Sequence, residues 1–209
     1  MKATLALFVV VLASTSALAQ APAGIITTLE GLATVTRRSQ ATPIPLKLKD
    51  FLFIGDRITT ARESLLKVVV GGKALLTMRE VSTVGLYETL GGATIALESG
   101  KLRLIMLKER MAPAEVWEVR TRNAVVEVRV AAVIVEVEPR DPVVTNVCVI
   151  DGTVSASAVG GAPVDVGPGQ SVTITGAVPG ATLSPPSPCR TGVMSGLQGR
   201  ATPGPKSLE

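Results

Sequence analysis

Few side chains in this 209-residue chain could carry out catalysis. The sequence contains no histidine, which removes Ser-His-Asp and Cys-His catalysis, imidazole metal sites and most general-base chemistry near neutral pH. The two cysteines, Cys148 and Cys189, are too few to form a structural zinc site alone. The residue types therefore argue against an enzyme.

The carboxylates do not form a recognisable site either. Calcium binding needs clustered oxygen ligands, and the spacing D-x-D-x-D-G does not occur. Paired carboxylates for glycoside hydrolysis stay open as an alternative, because two such residues can lie far apart in the chain. Trp117 and Tyr87 are the only Trp and Tyr, and Trp117 is expected to be a partly buried core residue. We expect no metal, cofactor or catalytic residue. The aspartates that sit at expected turns, where Asp commonly bonds to its own backbone, are Asp50, Asp56, Asp141, Asp151 and Asp165.

The first 19 residues have the layout of a secretory signal peptide. Lys2 supplies a positive charge, residues 5–13 form an apolar run, and residues 17–19 give an A-x-A cleavage site. The run is too short for a membrane-spanning helix, which needs about 20 apolar residues. We expect cleavage before Gln20 and a periplasmic or secreted protein with no membrane anchor in its mature chain.

An exported location favours a disulfide between Cys148 and Cys189, since a lone pair of cysteines in an oxidising compartment is usually bonded. Their separation of 41 residues corresponds to roughly 3–4 kcal/mol in the loop-entropy model. One geometric alternative stays open. In this alternative, Cys148 points into the core together with its apolar neighbours Val147, Val149 and Ile150, and no disulfide forms.

The charge pattern does not favour nucleic acid. The formal net charge is +4, but there is no basic run and no aromatic stacking platform. Basic residues alternate with carboxylates, as on a solvated face. We therefore expect no nucleic-acid partner, and instead a protein or another component of the cell envelope.

The hydrophobic pattern has a period of two, which is typical of strands. With 46% hydrophobic and 2% aromatic residues, the core must consist of Val, Ile, Leu and Ala. Many short strands with turn signals between them predict an all-β domain, which is a barrel, a sandwich or a solenoid. A helical turn is expected only within residues 108–114. The expected strands are residues 32–36, 57–60, 65–70, 74–78, 81–87, 94–97, 102–107, 116–121, 124–128, 133–137, 143–150, 154–158, 164–166 and 171–175.

One long stretch, EVWEVRTRNAVVEVRVAAVIVEVE, changes phase twice. Its charges lie on even positions at Glu118, Arg120 and Arg122, on odd positions at Glu127 and Arg129, and on even positions again at Glu136 and Glu138. A strand alternates its faces strictly, so each change requires a bend or a bulge. We expect one near residues 123–124 and one near residues 131–132.

Seven stretches, taken in order, resemble the periplasmic FecR domain, which is named for the ferric-citrate uptake regulator. Together they span residues 24–175, and the resemblance implies a β-helix-like or β-sandwich fold of short strands and a place in envelope signalling. The stretches are GLATVTR (31–37), FIGDRITT (53–60), SLLKVVVGGKALLTM (64–78), LESGKLRL (97–104), VRTRNAVVEVRVAAVIVEV (119–137), VCVIDGTVSAS (147–157) and VDVGPGQSVTI (164–174). The turn positions of these motifs are Gly55, Asp56, Gly100, Asp151, Gly152 and Gly169.

The sequence departs from the family in two ways. Arg122 stands where the family has Pro, and Val130 and Ala131 stand where it has Gly-Thr, so the corner there is expected to form near residues 131–132. Family regulators also resemble a transmembrane arrangement with a cytoplasmic segment that binds a sigma factor. The signal peptide predicts a free-standing exported version instead.

We expect three parts: a signal peptide (1–19), a FecR-like all-β domain (20–175) and a disordered tail rich in Gly, Pro and Ser (176–209). The favoured function is a non-catalytic exported binding or scaffold module at the bacterial cell envelope. The alternative is an accessory sensory component of a FecR-type regulatory system. An envelope hydrolase is the third and least favoured class.

Partner binding or self-association is expected to use a strand edge. Residues 25–28 and 171–175 are β-prone and uncharged, so they lack the charges that usually protect an exposed edge. Thr173 and Ile174 are the expected contacts in the second segment. In the alternative arrangement, both segments pair within the domain or lie under the tail.

Overall fold

The structure is a computed structural model that describes residues 21–89, 92–138, 140–178 and 180–189. The predicted signal peptide and residues 190–209 of the predicted tail lie outside the described residues. The described chain consists almost entirely of strands, with one 3-10 turn at Lys108–Arg110 inside the region where a helical turn was expected. The strands are β1 (Gly24–Glu30), β2 (Ala33–Arg37), β3 (Gln40–Pro45), β4 (Phe51–Leu52), β5 (Arg57–Thr60), β6 (Leu65–Val70), β7 (Ala74–Met78), β8 (Thr83–Thr89), β9 (Gly92–Met106), β10 (Trp117–Arg120), β11 (Ala124–Glu138), β12 (Val144–Ala158), β13 (Val164–Val166), β14 (Gln170–Thr175), β15 (Thr182–Leu183) and β16 (Ser187–Pro188).

All the strands belong to one hydrogen-bonded sheet that is folded over into two layers. Three 15-residue strands, β9, β11 and β12, run from one layer into the other. The first half of β9 pairs with β8 and β10, whereas its second half pairs with β7 and β11. Layer A contains β3, β2, β5, β8, β10 and β13, and layer B contains β4, β1, β6, β7, β14, β15 and β16. The predicted all-β fold of many strands is confirmed.

The two layers enclose one aliphatic core. Ile58 and Ile95 of layer A and Leu66 and Leu104 of layer B are fully buried, because alternate residues of each strand point inward. Trp117 belongs to the same cluster and is only 2% exposed, so it is a core residue and more deeply buried than expected.

Several pairs of strands that we expected to be separate are the two halves of a longer, bent strand. Gly100 and Gly152 both have positive φ, +85° and +77°, and lie at the bends of β9 and β12. A Cβ at Gly152 would collide with the carbonyl oxygen of Val130 on β11. The turn signals at Gly100 and Gly152 therefore mark bends inside strands, where glycine permits both the φ value and the close approach.

The two predicted phase changes have different causes. The pairing of β11 with β12 shifts register between Val128 and Ala131 and again after Ala132, so the bulge expected near residues 131–132 is confirmed. The change near residues 123–124 is instead the hairpin between two strands, β10 and β11.

Asn123 fixes this hairpin to the rest of the sheet. Its side chain is fully buried, and Nδ2 donates to the carbonyl oxygens of Val143, Ile174 and Gly176 at 3.0–3.2 Å. Its Oδ1 accepts hydrogen bonds from two threonine hydroxyl groups. Asn123 thus joins the hairpin to β12 and to β14.

Candidate functional site

Strand β14, which we expected to form an open edge, is paired on both sides. It pairs with β12 on one side and with β15 and β16 on the other. The Thr173 amide donates to Ser184 Oγ at 2.8 Å, and the Thr173 carbonyl accepts from the Ser184 amide at 2.9 Å. Ile174 is fully buried. The expectation of an open edge with contacts at Thr173 and Ile174 is therefore wrong, and the alternative, a strand under the tail, is what the structure has.

The other expected edge, at the start of β1, is also covered. Gly24 and Ile25 pair with β4, and the Ile26 carbonyl accepts a hydrogen bond from the Lys49 amide at 3.0 Å. The Ile26 amide in turn donates to Asp50 at 3.1 Å. In both segments, residues 25–28 and 171–175, the uncharged β-prone residues pair with other strands of the domain.

The predicted disulfide between Cys148 and Cys189 is confirmed, with a Cα–Cα distance of 5.5 Å. Val147 and Val149 point into the core, so Cys148 between them points to the outer face of layer B, where it packs against Ile134. Strand alternation thus removes the geometric objection.

The disulfide attaches the first part of the predicted tail to the sheet. Residues 180–189, here called the covering segment, contain β15 and β16, and the Cys189 amide donates to the Gly169 carbonyl at 2.9 Å. Ser171 Oγ donates to the carbonyls of Ser187 and Pro188, both at 3.2 Å. Serine hydroxyls and the disulfide thus hold residues 180–189 of the predicted tail against the sheet, although this segment has no periodic apolar pattern.

The motif positions Gly55 and Asp56 form a structural turn. Asp56 Oδ2 accepts a hydrogen bond from the Phe53 amide at 2.9 Å, and the Gly55 amide donates to the Leu86 carbonyl at 2.7 Å. Burial raises the pKa of Asp56, while the Phe53 amide and the charge of Arg37 oppose this shift. The turn connects β4 to β5 and β8, and none of these contacts points to a ligand.

Of the residues that were singled out from the sequence, the structure brings one group together and places the others apart. Cys148, Cys189, Gly169, Thr173 and Ile174 all lie around β14. The remaining motif positions lie at a turn of layer A or at the bends between the layers: Gly55, Asp56, Gly100, Asp151 and Gly152.

The exposed surface with the most distinctive chemistry was not predicted. Tyr87 is 39% exposed on the outer face of layer A, and its ring lies over Gly85, where an added Cβ would be 2.8 Å from the ring. Arg57 on β5 and Glu98 on β9 form a two-point ion pair, with Arg57 Nε 2.8 Å from Glu98 Oε1. Gly85 on β8 leaves room for the Tyr87 ring because it has no side chain. We call Arg57, Gly85, Tyr87 and Glu98 the Tyr87 patch.

A signal for this patch does exist in the sequence. Gly85 and Tyr87 are two residues apart in a strand, so they share one face, and an aromatic ring that covers a strand glycine is a known stabilising arrangement. The ion pair depends on the pairing of three strands. It could not be found without the register.

A second cluster surrounds the indole of Trp117. Trp117 Nε1 donates to Glu115 Oε1 at 3.0 Å, and Lys73 Nζ lies 2.6 Å from Glu115 Oε2. These residues border a cavity of about 370 Å³. The hydrogen bonds from Lys73 and then Trp117 lower the pKa of Glu115, so Glu115 is held as a carboxylate that orients its neighbours.

Replacing Glu115 with Gln should lower stability at pH 7, and the loss relative to wild type should shrink in acid. The folded-state pKa of Glu115 lies below its ordinary value of 4.5. Its contribution is therefore complete above about pH 4.5 and disappears as the pH falls through the folded-state pKa. Denaturant unfolding of both proteins from pH 7 to pH 3 measures this. The exposed Glu127 provides a control through Glu127→Gln, and a difference that is independent of pH would contradict the assignment.

The described part of the chain holds no group of three or more side chains suited to bind a metal ion. None of its helical segments has the length and hydropathy needed to cross a membrane.

The comparisons first define the class of fold. Two crystal structures, at 1.65 Å and 2.50 Å, of a protein described as a "putative anti-sigma factor from Parabacteroides distasonis ATCC 8503" are similar to this chain, each with a TM-score of 0.51. The identity is 15%, and the match covers 61% of this chain and 58% of the other. This likeness shows the fold alone, that of an all-β domain built on a large bent sheet.

A family match comes from the sequence. Residues 56–155 match the family described as FecR protein, so the predicted resemblance to that family is confirmed over this part of the chain. The matched region includes the Tyr87 patch and the bends of all three long strands. No curated protein matches the chain in sequence.

Proposed function

We propose that this chain is a non-catalytic, exported binding module at the bacterial cell envelope and that its ligand is a protein. The observation that carries the proposal is the Tyr87 patch, an exposed aromatic group beside an ordered arginine within the region that matches the FecR family. The predicted signal peptide supports the exported location, and the FecR match supports a regulatory setting.

The chemistry of the patch fits a protein interface. Tyrosine and arginine are enriched among the residues that dominate binding energy, since they offer large contact areas. The Tyr87 ring packs on Gly85, and Glu98 fixes Arg57 in place, so little side-chain entropy remains to be lost on binding. One positive and one negative charge leave the patch neutral, which disfavours nucleic acid as the partner.

The substitution Tyr87→Ser tests the proposal. A partner is first captured from envelope extract with the wild-type protein and identified, and its affinity is then measured with each variant. Loss of a central aromatic contact should weaken binding roughly 10–30-fold. The control is Leu32→Ser, which removes a 73% exposed apolar side chain from another surface and should leave the affinity unchanged. Equal affinities for wild type and Tyr87→Ser would exclude the patch.

A second candidate function is an accessory sensory component of a FecR-type regulatory system. The FecR match and the likeness to a protein described as an anti-sigma factor favour it. In this case the module passes the state of its ligand to a separate membrane transducer. Deletion of the chain should then change transcription of a defined regulon, and a chromosomal Tyr87→Ser should reproduce that change. A binding module without a regulatory role leaves transcription unaltered.

A further inference from the structure

One loop at the margin of layer B exposes apolar and basic side chains together. Leu48 and Phe51 are 54% and 52% exposed, and Lys47 and Lys49 are exposed beside them. We call these residues the 47–51 loop. The residues on either side of it, Leu46 and Leu52, are buried in the core, so the loop is attached to the domain at both ends.

The loop is held in this shape by its own backbone. Asp50 Oδ2 accepts a hydrogen bond from the Lys47 amide at 2.7 Å, and the Asp50 amide donates to the Lys47 carbonyl at 3.2 Å. Lys49 has a φ of +70°, an uncommon conformation for a residue with a side chain, and its amide donates to Ile26. The side chains of Leu48 and Phe51 are thus presented outward by a preformed turn.

The charge of the loop is not neutralised by ion pairs. The Asp50 carboxylate bonds to backbone within the turn. Among the described residues, neither Lys47 nor Lys49 forms a salt bridge. Two ammonium groups therefore accompany two apolar side chains on the same exposed turn.

The position of the loop is informative as well. The Ala23 amide donates to the Leu52 carbonyl at 2.7 Å, so the chain enters the domain directly beside the loop. The apolar run at residues 5–13 precedes this point by only ten residues. The loop therefore lies beside the point at which the predicted signal-peptide region leads into the domain.

We infer that the 47–51 loop is a peripheral contact with an anionic lipid surface. Leucine and phenylalanine enter the boundary between headgroups and acyl chains, while lysines interact with anionic headgroups. Each lysine near such a surface strengthens partitioning about fivefold. With two lysines and two apolar side chains the contact is weak and reversible, and it orients the domain without anchoring it.

Co-sedimentation with vesicles tests the inference. The probe is phosphatidylcholine containing about one third phosphatidylglycerol, compared with pure phosphatidylcholine at the same lipid concentration. The protein is purified from the exported fraction, and every variant is prepared in the same N-terminal form, which is verified by intact mass. Wild type should partition at least tenfold better to the anionic vesicles, and added salt should reduce this preference.

The variants separate charge from apolar contact. Lys47→Gln/Lys49→Gln and Leu48→Ser/Phe51→Ser should each reduce partitioning at least fivefold while leaving thermal unfolding unchanged, because the altered side chains are exposed. Leu32→Ser, at a 73% exposed leucine on another turn, and Tyr87→Ser are controls that should bind like wild type. Since the function test uses Tyr87, failure of either proposal leaves the other standing.

Three results would overturn the inference. These are equal binding of wild type to neutral and anionic vesicles, equal binding of the loop variants and wild type, and no binding to anionic vesicles at millimolar lipid. If the loop variants instead lose affinity for a captured envelope protein while vesicle binding is absent, the loop is a protein contact and the lipid assignment is wrong.

Discussion

Replacing Asn123 with Ala should destabilise the domain by about 3–4 kcal/mol, because the substitution leaves several buried groups without partners. The amide nitrogen of Asn123 serves three backbone carbonyls, and its oxygen accepts from the hydroxyls of Thr121 and Thr145. Water cannot replace these bonds without opening the junction of β10, β12 and β14. Denaturant unfolding, monitored by circular dichroism, measures the loss.

The chain provides a matched control for this substitution in its only other asparagine. Asn146 is 8% exposed and makes two side-chain hydrogen bonds, to Glu138 at 3.2 Å and from Thr173 at 2.9 Å. Asn146→Ala should cost about 1 kcal/mol. Equal losses for the two variants would show that Asn123 is not the central polar connection of the fold.

Removal of the disulfide should have a comparable effect. Cys148→Ala/Cys189→Ala should lower stability by roughly 3–4 kcal/mol through the entropy of the 41-residue separation. It should also release the covering segment from β14, because the strands β15 and β16 that pair with β14 have only two residues each. Alanine is preferred over serine at residue 148, because a buried hydroxyl would add its own cost.

Hydrogen exchange distinguishes local release from global loss of stability. In the disulfide-free protein, the amides of Thr173 and of residue 189 should exchange much faster, since the acceptor of the first, Ser184 Oγ, and the donor of the second both belong to the covering segment. Amides of β6, far from the disulfide in the sheet, serve as the reference. Unchanged exchange at Thr173 and an unchanged unfolding midpoint would show that serine contacts alone hold the segment.

The period-two pattern was sufficient to predict the fold class and most strands. Residues 57–60, 65–70, 74–78 and 164–166 match β5, β6, β7 and β13 residue for residue, because alternation of buried and exposed residues is a local property. The same signal did not predict that Gly100 and Gly152 bend continuous strands. In the sequence, a glycine that ends a strand at a turn cannot be distinguished from a glycine that bends a continuous strand.

The site was less accessible to sequence reasoning, because it depends on which strands are neighbours. The expected oxidising compartment and the presence of only two cysteines were sufficient to predict the disulfide. The prediction of an open edge at Thr173 was wrong because the covering segment is rich in Pro and Ser and resembles a disordered tail. Its serines nevertheless form hydrogen bonds with β14. The Tyr87 patch required the register of β5, β8 and β9.

The most direct test of the proposed function is crosslinking in the living cell. A photoreactive phenylalanine analogue placed at Tyr87 should form an adduct with one envelope protein, whereas the same group at Leu32, which is 73% exposed elsewhere, should not. The adduct should be lost when the partner identified by capture is deleted. The absence of an adduct at residue 87, or the same adduct from both positions, would contradict a protein-binding role for the Tyr87 patch.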